Sequence, residues 1–460
     1  MTELYTRAAR SVIFPLHELF KGHRTVAVHR ELERTQWLSP AELHDYQCGR
    51  LQRFIADVYG KVPYYRCLFD HHGIDPRDIS DAGKLQCLPL LDKPTIRAHT
   101  DSLKAADAAN LARFNTGGSS GEPLVFYIGK ERVSHDVAAK WRATRWWDVD
   151  IGDREIVVWG SLIELGAQDR IRMLRDKLLR TRLLPAFEFS PQNLTRFVDE
   201  IQGFRPRMLF GYPSSLALIA RHAESMGRPL SALGISVAFV TSERLYDDQQ
   251  VDIERVFGCR VANGYGGRDA GFIAHACPEG NLHITNEDVI VEIVDAQGIN
   301  LPAGEPGEIV VTHLATRDFP FIRYRTGDIG AVGRAGCSCG RGLSLLERLD
   351  GRTTDLVVAR DGTVMHGLAL IYVLREIPAI DQFKIVQESI DRTRILIKPS
   401  APIDDPTANA IVAQFQRRLG ATVSIIIERV DEIPRERSGK FRYVVSELGS
   451  DRCARNSAAD

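Results

Sequence analysis

The sequence predicts an α/β protein with a large, doubly wound N-terminal domain and a small α+β C-terminal domain. The first reason is length, because 460 residues exceed what one compact core usually holds. The second is the pair of short apolar runs EIVVWG and RMLFGY, which are typical of strands buried in a parallel sheet. The third is that helical patterns such as PSSLALIARHAESMG lie between such runs, which is the order of a doubly wound sheet.

Residues 1 to about 110 precede this alternation and are predicted to be mostly helical. Ser39-Pro40 supplies an N-cap and a first-turn proline. The apolar and aromatic residues that follow recur near the 3.6-residue period of a helix, and they are Leu43, Tyr46, Leu51, Phe54, Ile55 and Val58.

The later part of the chain predicts two further units. From about residue 284, short strands with turns, such as VIVEIVD and GEIVVTHL, indicate a β-rich subdomain. After Asp350-Gly351, strands and helices mix as in a small α+β domain. We therefore expect an N-terminal domain over residues 1–350, a C-terminal domain over 351–448 and a disordered polar tail over 449–460.

Composition and charge do not favour several classes of protein. The formal net charge of −1 gives no argument for a nucleic acid or an acidic membrane as partner. No apolar run approaches the roughly 18 residues of a membrane span, and the N-terminus lacks a signal-peptide cleavage site. Eight cysteines in so long a chain are not a disulfide scaffold. We expect a cytoplasmic monomer or homodimer.

The segment FNTGGSSGEPLVFY is rich in glycine and hydroxyl side chains directly before a strand-like run. Such a loop offers backbone freedom and many N–H and O–H donors, which suits a polyphosphate. An ordinary glycine-serine turn is the other interpretation, and these residues alone do not separate the two.

Two other segments place a carboxylate beside glycines. In NGYGGRDAG, Tyr265 could stack on a base and Asp269 could hold Mg²⁺, although a turn at a strand end explains the segment equally simply. In FIRYRTGDIG, Thr326-Gly327-Asp328 places a carboxylate on a tight turn after a strand, suited to the two hydroxyls of a ribose. A plain β-turn is the alternative.

Two segments near the C-terminus also carry chemistry. Gly351-Arg352 lies at the boundary between the two domains, where a hinge is expected. Ser438-Gly439 presents Lys440 at a loop tip, where a lysine is either solvated or a mobile positive charge for a phosphate or carboxylate.

In this order the segments resemble the adenylate-forming superfamily of acyl-CoA synthetases. More narrowly, they resemble the phenylacetate–CoA ligase family and its CapK-like relatives of capsule biosynthesis, over residues 40 to 445. The resemblance implies a ligase that uses ATP and Mg²⁺ to form an acyl-adenylate, with a C-terminal domain that rotates between two half-reactions.

The resemblance also implies roles for individual residues. Lys440 approaches the substrate carboxylate and the α-phosphate, Asp269 holds Mg²⁺, Asp328 binds the ribose, and Arg352 lies near the ribose and phosphate. The loop that wraps the β- and γ-phosphates consists of Thr116, Gly117, Gly118, Ser119, Ser120 and Gly121. The adenine site consists of Thr241, Ser242, Glu243, Asn263, Gly264, Tyr265 and Gly266.

The chain departs from the family pattern at three of these places. Leu124 stands where a lysine often follows the phosphate loop, and Asp269 replaces the usual glutamate. Thr354 replaces the usual hinge aspartate, with Asp355 next to it. For the acyl pocket, family position indicates Trp159, Tyr212 and Pro213, which are equally suited to a core, and the sequence does not place His275 or His313.

Cysteine spacing predicts a structural zinc site. Cys277 lies six residues before His283, and Cys337 and Cys339 are two apart. Three thiolates and one imidazole complete a tetrahedral Zn²⁺ site, and glycines and a proline flank the ligands as in zinc knuckles. Relatives show a similar arrangement. Incidental cysteines are the alternative.

Three functions therefore stay open. The first is activation of a carboxylic acid by ATP followed by transfer to coenzyme A. The second keeps the adenylation but transfers the acyl group to an amine or a hydroxyl. The third is an inactive nucleotide-binding scaffold, which the departures at Leu124 and Asp269 favour and which the retained Lys440 disfavours.

Overall fold

The computed structural model describes residues 2–115, 124–159, 170–185, 189–243, 245–334, 336–349, 356–433 and 443–448. The predicted phosphate loop, from Thr116 to Gly121, lies outside the described residues. So do Arg352, Thr354, Asp355 and Lys440, whose predicted roles therefore stay predictions.

The N-terminal segment is helical, as the sequence predicts. The helix that the sequence predicts after Ser39-Pro40 begins at that place. The Ser39 side chain accepts a hydrogen bond from the Glu42 backbone N–H, and the Glu42 carboxylate accepts one from the Ser39 N–H at 2.8 Å. The elements are α1 (Thr2–Ala8), a π-helical segment (Ala9–Ile13), α2 (Phe14–Lys21), α3 (Thr25–Thr35), α4 (Pro40–Lys61), α5 (Pro63–His72) and α6 (Lys93–Ala98).

Within the described residues, eleven strands form one central sheet. Five of them are parallel, in the spatial order β4 (Thr181–Leu184), β3 (Glu155–Val158), β5 (Met208–Gly211), β6 (Val237–Thr241) and β7 (Arg260–Gly267). The sheet continues with antiparallel strands β8 (Gly271–Ala276), β9 (Leu282–Ile284), β13 (Leu345–Leu349), β12 (Tyr324–Val332), β11 (Gly307–His313) and β10 (Val289–Val294). The predicted β-rich subdomain is thus the antiparallel half of the same sheet.

Helices cover both faces of the parallel half. The helices α8 (Arg170–Leu178), α9 (Pro191–Phe204), α10 (Pro213–Ser225) and α11 (Asp247–Phe257) connect its strands in turn. Leu209 and Ala238 pack among the buried side chains of α9 to α11. Phe239 points to the opposite face, toward α7 (Lys130–Arg145) and the adjoining Trp146. This is the predicted doubly wound architecture.

A hairpin, β1 (Ala112–Asn115) and β2 (Val125–Ile128), flanks the predicted phosphate loop on both sides. Phe126 of β2 packs against Phe321.

The C-terminal domain has its own core. A hairpin of β14 (Leu356–Val358) and β15 (Val364–His366) precedes α12 (Leu368–Arg375). A four-stranded sheet in the order β18 (Ser424–Arg429), β17 (Arg392–Pro399), β16 (Ile380–Ser389) and β19 (Val444–Ser446) follows, with α13 (Asp405–Leu419). Buried Phe383, Ile395 and Phe415 belong to one apolar cluster there.

No described helix is long and apolar enough to cross a membrane.

Candidate active site and metal centre

The strand order reverses between β3 and β5. The chain moves outward from β3 to β4, then returns to β5 on the other side of β3 and proceeds to β6 and β7. In open α/β sheets, ligands bind at the carboxyl ends of the strands where the order reverses. The loops that follow β3 and β5 are therefore the expected place for a ligand.

The three residues predicted for the acyl pocket follow these two strands. Trp159 comes directly after β3, and its ring stacks on that of Tyr212, with centroids 4.3 Å apart and planes 20° apart. Pro213 opens α10 and is buried, whereas Trp159 is only partly buried. The pair forms an aromatic wall at the strand reversal, although Tyr212 also packs in the core beneath.

The next strand end carries the residues Thr241, Ser242 and Glu243. Ser242 adopts a left-handed backbone conformation with φ 72°, so the chain turns sharply as it leaves β6. The Glu243 carboxylate accepts a hydrogen bond from the Ser214 backbone N–H at 3.4 Å, at the N-terminus of α10. This contact joins the end of β6 to the segment that follows β5.

The neighbouring strand β7 carries the predicted adenine residues at the same edge. Thr241 pairs with Gly264, and Tyr265 and Gly266 follow toward the strand end. The backbone of Gly264 lies close to the Phe239 ring, because an added Cβ would be 3.0 Å from it. Asn263, half-buried, pairs with Val240. The two predicted adenine segments therefore lie side by side.

The structure joins the two predicted nucleotide motifs by a hydrogen bond. The Tyr265 hydroxyl donates to Asp328 Oδ2 at 3.0 Å, although the residues are 63 apart in sequence. A carboxylate accepts about four hydrogen bonds, so this contact orients Asp328 and is compatible with bonds to two ribose hydroxyls.

The turn predicted at Thr326-Gly327-Asp328 is a bulge inside a strand. β12 runs through these residues, and three of them face one residue of β11, with Gly327 at φ 76°. The extra residues fit because glycine tolerates this conformation and because the Thr326 hydroxyl donates to the Ile309 carbonyl at 2.8 Å. The prediction of a turn after the strand was wrong, but the bulge also directs a carboxylate to the sheet edge.

Asp269 lies on the loop between β7 and β8. The buried Tyr324 hydroxyl donates to Asp269 Oδ2 at 2.6 Å, and the Ala270 N–H donates to Oδ1 at 3.1 Å. Tyr324 and Asp328 both belong to β12, so this strand carries one predicted acidic residue and contacts the other. The carboxylate is half-buried and held from two sides.

Behind this loop lies a buried ionic group that the sequence did not predict. Arg132 of α7 pairs with Asp136 at 2.8 Å, and His313 lies 3.7 Å from Asp136. An added Cβ on Gly271 would lie 2.6 Å from His313 and 2.8 Å from Arg132. His313 and Arg132 therefore pack directly against the backbone of the β7–β8 hairpin at Gly271. These residues meet only because α7 packs against a strand that is distant in sequence, so no local pattern in the sequence indicates the group.

The charges in this group follow from burial. Burial, followed by the nearby Arg132, lowers the pKa of His313 to about 4. Its Nδ1 accepts a hydrogen bond from the Ala315 N–H at 3.2 Å, so the ring proton sits on Nε2. Burial alone would raise the pKa of Asp136, but Arg132 and His313 hold it below its ordinary value. His275 is equally buried, stacked on Phe272, and burial lowers its pKa to about 3.

The four predicted zinc ligands meet at one point. Cys277, His283, Cys337 and Cys339 each present one ligand atom, and these atoms all lie within 4.8 Å of one another. Cys277 Sγ lies 3.7 Å from Cys337 Sγ, and Cys339 Sγ lies 3.3 Å from His283 Nε2. Zinc–sulfur bonds near 2.3 Å in a tetrahedron place two sulfurs about 3.8 Å apart. The Cys277–Cys337 distance fits that value and is far longer than a disulfide.

Tight turns bring the ligands together. The Cys277 N–H donates to the Asn281 carbonyl at 3.0 Å, and Gly280, at φ 84°, completes this turn. His283 Nδ1 faces the Leu343 carbonyl at 3.4 Å, which leaves Nε2 directed at the thiols. Burial lowers the pKa of His283 to about 4, so the imidazole is neutral, as a metal ligand requires.

The thiols differ in their surroundings. Burial raises the pKa of Cys277 to about 12. Burial also opposes ionisation of Cys337, but hydrogen bonds from the Cys339 N–H and from Asn281 at 3.2 Å bring its pKa below the ordinary value. A cation at this point would favour the thiolate form of all three cysteines. The donor set therefore fits a structural Zn²⁺, with the four positions filled by protein.

A cleft of about 440 Å³ lies elsewhere, at the amino ends of the parallel strands. Arg154, Arg207 and Gly234 line it, and they precede β3, β5 and β6. It is therefore at the edge opposite to the residues described above and is not part of the candidate active site.

Comparison with known proteins is consistent along the chain. Residues 357–447 match the family model of the CapK C-terminal domain. The chain is 23% identical over 435 residues to protein CapK of Staphylococcus aureus, covering 93% of this chain and 94% of that protein. It is 25% identical over 438 residues to the phenylacetate–coenzyme A ligase of Thermus thermophilus, covering 88% and 96% of the two chains.

Solved structures show the same fold. A 2-hydroxyisobutyryl-CoA ligase in complex with 2-HIB-AMP and CoA in the thioesterification state matches with a TM-score of 0.64 at 20% identity, over 90% of this chain and 91% of that one. The same ligase in its postadenylation state matches with a TM-score of 0.59 at 19% identity, over 92% and 94%. The predicted fold class is confirmed, and so is the predicted resemblance to CapK and the phenylacetate–CoA ligases, which extends over most of the chain.

Proposed function

We propose that this chain activates a carboxylic acid with ATP to an acyl-adenylate and then transfers the acyl group to coenzyme A. The observation that carries the proposal is the contact between Tyr265 and Asp328, at the same sheet edge as Thr241 and Glu243. This contact joins two of the segments predicted to bind adenosine, and it supports a nucleotide site at that edge of the sheet. Relatives named as coenzyme A ligases support the acceptor.

The described residues supply binding and orientation for the first half-reaction. Asp328, oriented by Tyr265, would accept the ribose hydroxyls. Asp269, held by Tyr324, would hold Mg²⁺, which would neutralise phosphate charge while pyrophosphate leaves. In this proposal the loop from Thr116 to Gly121 wraps the phosphates. Arg352 and Lys440 supply positive charge, and Lys440 acts at the bond that forms between the carboxylate and the α-phosphorus.

The substrate pocket of this proposal lies at the strand reversal. Trp159 and Tyr212 would form an apolar, aromatic wall beside the adenine site, because β3, β5 and β6 are neighbours in the sheet. Such a wall favours an acid with an aromatic or apolar body over a charged one.

The metal centre has a structural role in the proposal. Cys277, His283, Cys337 and Cys339 would hold one Zn²⁺ that ties the β8–β9 turn to the segment before β13. No coordination position is left for water, so the ion would stabilise the antiparallel half of the sheet and take no part in the reaction.

The first alternative keeps the adenylation and changes the acceptor to an amine or a hydroxyl. The similarity to protein CapK over nearly the whole chain favours it. An inactive nucleotide-binding scaffold is the second alternative, and the shorter acid at Asp269 is its support.

The test measures the two half-reactions separately. Pyrophosphate release with a panel of aromatic and aliphatic acids identifies adenylation, and acyl-CoA formation with coenzyme A as sole acceptor identifies the acceptor. We expect Lys440→Ala to slow adenylation about 100-fold or more and to leave thioester formation from a preformed adenylate largely intact, because its charge acts in the first transition state.

Lys84→Ala, an exposed lysine on the N-terminal segment, is the matched control. Pyrophosphate release without acyl-CoA would favour the amine or hydroxyl acceptor. No pyrophosphate with any acid, together with ATP binding, would favour the scaffold. Equal loss of both half-reactions in Lys440→Ala would contradict the role of that lysine.

A further inference from the structure

The N-terminal helices expose an apolar face. Most large side chains on the outward side of α1, the π-helical segment and α2 are apolar, and they recur mainly at intervals of three and four residues, as one helix face does. The exposed fractions are 76% for Leu4, 53% for Val12, 61% for Leu16, 74% for Leu19 and 83% for Phe20. The opposite side of these helices carries Phe14 and Glu18, which are buried. A single exposed apolar side chain is ordinary, but five large ones on one continuous helical segment are not.

A second helix with an exposed apolar face lies against this segment. Met173 and Leu174 of α8 are 58% and 59% exposed. The Tyr5 hydroxyl donates to the Leu178 carbonyl at 2.9 Å, and the Arg180 guanidinium lies 3.9 Å from the centre of the Tyr5 ring. Leu179 packs with Phe14 in one cluster. We call the surface formed by residues 2–24 and 170–182 the basic amphipathic surface.

The charge of this surface is opposite to that of the chain. Residues 2–24 contain four Lys and Arg, and residues 170–182 contain six, against three acids, Glu3, Glu18 and Asp176. Of these acids Glu18 is buried and bonded to Thr25. Because the two segments together carry a formal charge of +7 and the whole chain −1, the rest of the chain has a formal net charge of −8. Whole-chain charge therefore conceals a local excess of positive charge.

We propose that the basic amphipathic surface docks on a membrane that contains anionic lipid. Helices with an apolar face of Leu and Phe and flanking Lys and Arg lie in the plane of the membrane interface, where the apolar side chains enter the acyl boundary and the cations meet lipid phosphates. Leu16 and Phe20 enter the bilayer in this arrangement, and Lys21 and Lys177, both exposed, lie beside them.

The same charges disfavour a second copy of the chain as the occupant. A two-fold contact through this surface would place the two excesses of positive charge against each other, and its two acids that are not buried, Glu3 and Asp176, are too few to neutralise them. Anionic lipid removes that repulsion, and the acidic remainder of the protein is repelled from the bilayer, which fixes one orientation.

The experiment is co-sedimentation of the full chain with phosphatidylcholine vesicles with and without phosphatidylglycerol. We expect the chain to bind the anionic vesicles at least about tenfold more tightly than the neutral ones. High salt should weaken the binding to the anionic vesicles. The double variant Leu16→Glu and Phe20→Glu should bind at least about 100-fold more weakly, because it removes two apolar anchors and adds two negative charges.

The matched control is the double variant Val251→Glu and Ile299→Glu, at residues 59% and 58% exposed on other parts of the molecule. It should bind like the parent chain. Melting temperatures of both variants check that the fold survives. No binding, equal binding to both vesicle types, or equal loss in both double variants would overturn the proposal. So would a dimer in solution that the Leu16→Glu and Phe20→Glu variant alone converts to a monomer.

Discussion

Tyr324 and Asp269 show how a site residue depends on a partner far away in sequence. The tyrosine ring is almost fully buried and stacks on Phe321, with centroids 4.9 Å apart, so the hydroxyl has little freedom. It donates to Asp269 Oδ2 at 2.6 Å. A charge-assisted bond of this length restricts the carboxylate to one orientation before any cation arrives.

We therefore expect Tyr324→Phe to weaken Mg²⁺-dependent pyrophosphate release by about tenfold while the free energy of unfolding changes by only about 1 kcal/mol. The ring and its stacking remain, and only the donor to Asp269 is lost. The measurement is the rate of pyrophosphate release as a function of Mg²⁺ concentration, with the melting temperature beside it.

The matched control is Tyr59→Phe, which removes a similar bond of 2.9 Å to the exposed Asp70, away from the site. If both variants keep the parent's Mg²⁺ dependence, the Tyr324 hydroxyl does not position Asp269 for a cation.

At this scale the sequence predicted residue types better than it predicted partners. Motifs indicate Tyr265, Asp269 and Asp328, and the structure places them at one edge of the sheet; their roles stay predictions. Arg132 and His313 were missed or left unplaced, because their contacts depend on how a distant helix packs behind Gly271. No local pattern carries that information.

The helix α7 shows why some elements resist sequence analysis. It lies in the centre of the domain, yet many of its buried residues are polar, including Arg132, His135 and Arg142. Arg142 pairs with the buried Glu287 at 2.6 Å, and His135 Nδ1 lies 2.6 Å from Asp288. Apolar periodicity, which located α4, cannot locate the buried face of such a helix. Its buried polar side chains instead contact residues 145 and 153 positions away in sequence.

The cysteine turns are an element that the sequence described well, because ligand spacing is local. We predict one stoichiometric zinc in the purified protein and a loss of about 3 kcal/mol in the free energy of unfolding for Cys339→Ser. The reason is that the metal would connect two turns, 56 residues apart, that contact each other through weak hydrogen bonds such as Asn281 to Cys337. Metal analysis and melting temperature before and after a chelator measure it.

Cys67→Ser, at an exposed cysteine outside the cluster, is the control and should melt like the parent. Absence of zinc, or a Cys339→Ser variant that melts like Cys67→Ser, would mean that the four residues do not form a metal site.

The loop between β1 and β2 is predicted to bind phosphate through its backbone. Gly118→Val should weaken ATP binding at least about tenfold, measured by isothermal titration, with the melting temperature preserved, because a branched side chain keeps the backbone away from the phosphates. Gly49→Val, on α4, is the control, since an added Cβ there meets nothing within 4 Å. Unchanged ATP affinity in Gly118→Val would make the loop an ordinary turn.

At the scale of the molecule, the sequence predicted the doubly wound half and the separate C-terminal domain. It placed the antiparallel strands in a subdomain, whereas β8 to β13 extend the same sheet. The pairing of β13 with β9, some sixty residues apart, decides this, and strand order across such distances is not encoded in any local run of residues. The net charge of the whole chain likewise does not indicate the basic amphipathic surface, because acidic residues elsewhere in the chain balance its positive charge.

Buried histidines in different parts of the fold give the whole molecule a pH dependence. Burial lowers the pKa of His29 to about 4, of His275 to about 3 and of His313 to about 4, from an ordinary value of 6.5. The folded state thus keeps these rings neutral at pH values where the unfolded chain protonates them. Below pH 6.5 the unfolded state binds more protons, so stability falls as the pH falls and continues to fall until the folded pKa values are reached.

We predict that the free energy of unfolding decreases between pH 7 and pH 5 by about 2 kcal/mol for each of these histidines, measured by urea denaturation. His275→Phe should flatten that slope by about one proton, because a phenyl ring fits between Phe239 and Phe272 and does not titrate. The exposed His71→Phe is the control and should keep the parent's slope. A parent chain equally stable at both pH values, or a slope unchanged in His275→Phe, would show that the buried rings are not held neutral by the fold.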